Sequence, residues 1–115
     1  MKKLIPLAFL AAPAFADDAV IEEAKASASG STWTFSVTLS HADTGWDDYA
    51  DGWRVVAADG TELGMRVLYH PHVNEQPFTR SLNGVKVPDG VDEVFIEART
   101  LTDGWGAARK AVSLK

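Results

Sequence analysis

The sequence predicts an all-β fold, an antiparallel two-sheet sandwich of about seven strands, immunoglobulin or fibronectin III-like. Three observations predict it. Residues 33–40 alternate apolar and polar side chains without a fault, the period of a strand with one face in a core. Further short runs follow at close spacing, separated by turn dipeptides such as Asp59-Gly60 and Pro88-Asp89-Gly90. Trp53 opens the third run, where such sandwiches often bury a tryptophan. A small β-barrel is the alternative.

Residues 1–16 read as a cleavable signal peptide. Lys2 and Lys3 supply the positive start, residues 4–12 the apolar stretch, and Ala14-Phe15-Ala16 the small-x-small cleavage site. The apolar run is too short to span a bilayer. The chain has no cysteine, which argues against a lipoprotein anchor and against disulfides. Thiol catalysis, iron–sulfur clusters and blue-copper sites are excluded for the same reason. The expected location is periplasmic or secreted, with no membrane association after cleavage.

Residues 17–115 then form a single domain, large enough to bury a core without staples. It keeps 9 Lys+Arg against 16 Asp+Glu. So acidic a domain repels nucleic acid and anionic lipid, so neither is an expected partner.

The strands follow in order. Residues 20–28 make a first, edge strand of poor pattern. Residues 33–40 are the clearest strand and 53–58 the next. Residues 61–70 place Leu63, Met65, Val67 and Tyr69 on the core face, leaving His70 outward. Residues 78–87 are weakened by Gly84. Residues 91–100 place Val94, Ile96 and Ala98 inward, and 108–115 do so with Val112 and Leu114. Trp33 and Trp53 are assigned to the core.

Consecutive antiparallel strands alternate in direction. The long loops 41–52, 70–77 and 101–107 therefore share one pole, and the tight turns share the other. The loop pole holds all three histidines, His41, His70 and His72. It also holds Asp43, Asp47, Asp48, Asp51, Glu75 and Asp103, and no Lys or Arg. That composition points to a divalent cation. In His70-Pro71-His72 the proline favours an extended backbone, which turns both rings the same way, and His41 arrives from a neighbouring loop. Three imidazoles without a thiol suit Cu, Zn or Ni, with Asp43 or Glu75 completing or orienting the shell. Calcium is the second cation reading, through Asp43, Asp47, Asp48, Asp51 and Asp103, although EF-hand spacing is absent.

A metal-free alternative uses Trp46, Tyr49 and Trp105 to meet a protein or glycan, with Trp105 between two glycines as the most exposed of the three. No G-x-S-x-G elbow, H-E-x-x-H helix or phosphate-binding glycine loop is present, so no catalytic residues are assigned.

Three segments, HADTGWDDYADGW (41–53), LYHPHVNEQPFTRSL (68–82) and VPDGVDEVFIEARTLTDGWG (87–106), resemble a family of small exported bacterial proteins with no assigned activity. The resemblance covers most of the chain after residue 16, and its middle segment is the most specific. It implies export and one compact β-sandwich domain, and no particular reaction. The family pattern carries further histidines where this chain has Asp48 and near Arg99-Thr100. What carries over as candidate ligands is His41, His70 and His72.

Overall fold

The computed structural model describes residues 17–115; the leader expected over 1–16 lies outside the described residues. The described residues form eight strands: β1 (Val20–Ser29), β2 (Thr32–Ser40), β3 (Ala50–Val56), β4 (Glu62–Val67), β5 (Phe78–Val85), β6 (Glu93–Thr100), β7 (Gly104–Trp105) and β8 (Lys110–Ser113). They form two antiparallel sheets, one ordered β1-β2-β5, the other β4-β3-β6 with β7 and β8 both paired to β6. The connections from β2 to β3, from β4 to β5 and from β5 to β6 change sheets, as in a Greek key. The all-β sandwich expected from the sequence is the fold observed. Among the described residues there is no helix.

Alternation explains the core. Phe35, Val37 and Leu39 of β2 face Trp53 and Val55 of β3, Val94, Ile96 and Ala98 of β6 and Val112 of β8, with Phe78 and Val85 of β5 closing the cluster. Burying an aromatic or branched side chain of this size stabilises the fold by about 1.5–3 kcal/mol. Trp53 is fully buried as expected, whereas Trp33 only packs against the edge of the cluster.

The face assigned to residues 61–70 is corrected. Leu63 packs against the core as expected, but Met65 lies opposite Arg54, on the outer face, and β4 stops at Val67. Gly64 faces the second sheet, where a Cβ would come 3.0 Å from Leu82 and 3.1 Å from Val85. The space above β4 is filled by β5, so a side chain at this position would have to push Leu82 and Val85 back by a few tenths of an ångström. Beyond the strand, Leu68 enters the core and Tyr69 stands in solvent, 74% exposed. A register shift between Val55 and Val56 breaks the simple alternation.

A second correction concerns loop 101–107. Arg99 pairs with Trp105 and Thr100 with Gly104, so this segment turns tightly into β7. Gly104 takes φ +74°, the left-handed conformation that such a turn needs and glycine supplies.

Candidate cation site

The loop pole predicted from strand direction is present, and one carboxylate organises it. Asp43 is buried at the start of the β2–β3 connection. Its Oδ1 accepts the His41 Nδ1–H at 2.6 Å and the Ala50 N–H at 3.0 Å. Its Oδ2 accepts the His72 N–H at 2.8 Å. Gln76 bridges the same loops: its Oε1 accepts the His41 N–H at 3.0 Å, and its Nε2 donates to the His72 carbonyl at 3.0 Å. A buried carboxylate with three donors satisfies its own lone pairs and fixes two loops together.

The Asp43 bond also fixes the proton on Nδ1 of His41, which leaves Nε2 as the free position of the ring. That atom is buried and has no hydrogen-bond partner. It stands 3.4 Å from Asp17 Oδ2 and 3.8 Å from Asp48 Oδ1. Asp48 is held by a small turn, in which the Thr44 N–H donates to the Asp48 carbonyl at 3.0 Å. The Thr102 hydroxyl also donates to the Asp48 carboxylate at 3.2 Å. Asp17 is placed because β1 starts at this pole: Val20 pairs with Ser40, the last residue of β2. Among the described residues, Asp17, His41 and Asp48 form the group whose ligand atoms all lie within 4.8 Å of one another.

His41 gains a raised pKa. Burial opposes its charged form, but the hydrogen bond to Asp43 and the charges of Asp17, Asp43 and Asp48 outweigh it.

The other two histidines sit differently. The His70 and His72 rings lie 4.6 Å apart, and His72 stacks on Phe78 at 3.9 Å. Arg80 Nη2 reaches His72 Nε2 at 2.9 Å. An arginine can only donate, so His72 is neutral there and its Nε2 lone pair is taken. Burial and the positive charges of Arg80 and His70 lower its pKa, against smaller opposing contributions from Glu75 and Asp43. Glu75 is turned toward Arg80 Nη2 at 3.2 Å, and His70 Nδ1 donates to the Pro71 carbonyl at 3.0 Å. His41 thus gathers with two aspartates rather than with His70 and His72.

The expectation of a pole without cations is corrected as well. Arg80 arrives from β5, and Arg99 from β6 pairs with Asp51 at 2.9 Å. The loops contain no basic residue, but the strands beneath them do. Asp51, expected among the calcium ligands, is thus taken by Arg99. Trp105, expected to be exposed, is half-buried in β7 with the Arg54 guanidinium 3.8 Å above its ring. Trp46 is 65% exposed at the tip of the 44–48 turn, edge-on to Tyr49 at 5.7 Å.

Asp17 was missed by sequence reasoning, although the signal was there. Strand alternation applies equally to 20–28, and it puts the residues just before that strand at the histidine pole.

Comparison with known proteins adds one relative. The chain is similar to a lipoprotein-named protein. That protein, from Halomicrobium mukohataei, carries the name "Putative lipoprotein" and is 41% identical over 93 residues, 81% of this chain. Those residues span 45% of the relative, so the chain matches less than half of its length. No family model matches the chain, and no solved structure does.

Proposed function

We propose that this is an exported binding domain, immunoglobulin or fibronectin III-like, that holds a divalent cation, Zn(II) or Cu(II), on its loop pole. His41 Nε2, Asp17 and Asp48 are the ligands, and Asp43 is the residue that orients the imidazole. Removal of residues 1–16 and a single domain over 17–115 belong to the same reading. Export draws support from the leader pattern and from the name of the Halomicrobium relative.

The observation that carries the reading is the buried, unpartnered His41 Nε2 facing two carboxylates. Ligand atoms about 2.0–2.2 Å from a tetrahedral ion stand about 3.3–3.6 Å apart. The 3.4 and 3.8 Å separations lie close to that spacing, and they are too long for strong hydrogen bonds. A carboxylate on the far ring nitrogen is the usual support of a metal-bound histidine, and Asp43 is one.

The test is calorimetric titration of the exported protein with Zn(II), Cu(II) and Ca(II). Zn(II) or Cu(II) is expected to bind in the micromolar range or tighter. Asp17→Asn and Asp48→Asn, both at partly exposed side chains, should each weaken it at least tenfold, and Asp43→Asn by about 10–100-fold. His70→Ala should leave it unchanged. Absence of binding by the parent protein, or loss only in His70→Ala, would overturn the assignment.

A second reading rests on Trp46. With the exposed Val73 it lines an open groove together with His70, Pro71 and His72. Such a groove suits a protein or glycan partner without any metal.

A further inference from the structure

We infer that export processing completes the cation site, because the α-amino group it creates on Asp17 becomes a further ligand. This rests on the proposed site at His41, and it adds a group that the unprocessed chain lacks.

Water adds across the Ala16–Asp17 peptide bond when a leader is removed at the small-x-small site. The leader keeps the new carboxylate, and Asp17 keeps the new amine. In the longer chain that nitrogen is an amide, whose lone pair is delocalised and makes it a far weaker metal donor than an amine. As an amine of pKa about 7.7–8.0, it releases one proton to become a ligand.

This nitrogen belongs to the residue whose carboxylate is already at the site. The carboxylate of Asp17 faces His41 Nε2 at 3.4 Å. Amine and β-carboxylate of one aspartate close a six-membered chelate ring around a metal, so a cation taken by the carboxylate is within reach of the amine. The nitrogen of Asp17 already donates to Asp103 Oδ2 at 3.3 Å. A metal-bound amine keeps two hydrogens, so Asp103 can go on accepting one of them.

The segment is seated and has a defined path. Asp18 Oδ2 accepts the Ala107 N–H at 3.3 Å, and Ala19 is buried in the core. Gly106 gives Asp18 its room, since a Cβ there would come 3.1 Å from the Asp18 carboxyl carbon. With the amine, the site holds two nitrogens and two carboxylates, a donor set suited to Cu(II) or Zn(II).

The experiment uses protein purified from the exported fraction, with its N-terminus read by intact mass. Zn(II) and Cu(II) affinities are compared among the parent, a form with Ser-Gly inserted between Ala16 and Asp17, and the parent acetylated at its α-amine. Both altered forms should fold and bind at least tenfold more weakly. Equal affinity in all three overturns the role of the amine and leaves the His41 site standing. An N-terminus other than Asp17 also overturns it. Absence of binding in every form overturns the His41 site itself.

Discussion

His41 and His72 both lean on Asp43, yet their surroundings shift their pKa values in opposite directions. The ring of His41 touches Asp43 and faces Asp17 and Asp48. That of His72 touches Arg80 and receives only a backbone link from Asp43. In an NMR titration of the metal-free protein, His41 is expected to titrate above its ordinary 6.5 and His72 below it. The reverse order would show that the hydrogen-bond partners are wrongly assigned. The histidines themselves were plain in the sequence. So was Asp43 as an acid able to orient a ring, but Arg80 and Asp17 were not, because Arg80 lies in a strand and Asp17 lies 24 residues before His41.

At the scale of elements, β2 was legible because one of its faces is buried along its whole length, which enforces strict alternation. The β4 segment was misread because it lies at a sheet edge beside β5, where packing space rather than alternation chooses the residue. Strand β7 was hidden in a loop, since two residues carry no period. The outer face of the β3–β6–β8 sheet is knit by charge. Glu97 on β6 accepts from Arg54 Nε of β3 at 2.9 Å and from Arg109 Nε, just before β8, at 2.9 Å. Burial pushes the Glu97 pKa up, but those two guanidiniums bring it below its ordinary 4.5. A carboxyl with a depressed folded pKa stabilises the fold above its unfolded value and loses that contribution as pH falls through the folded one. Glu97→Gln is therefore expected to cost about 1–3 kcal/mol at pH 7, by urea denaturation. The difference should shrink as pH falls below 4.5 and through the lowered pKa of Glu97.

At the scale of the whole molecule, both sheets depend on one core, and Phe35 is its largest fully buried side chain after Trp53. Phe35→Ala is expected to cost about 3–5 kcal/mol, a large share of the ordinary 5–15 kcal/mol of a domain. Unfolding should remain a single transition, with far-UV and near-UV dichroism changing together. Separate transitions for the two sheets would contradict a shared core. The same architecture sends every second connection to one end, which is how His41, His70 and His72 come to lie at one pole.

The sequence by itself determined the strand content, most of the inward-facing residues and the pole at which the histidines gather. Those features follow from period-two patterning and from alternation of direction, both local rules written along the chain. Only the tertiary structure decided which acid meets which imidazole. Asp17 meets His41 across 24 residues because of how loops and strand ends pack, and no local pattern records that choice.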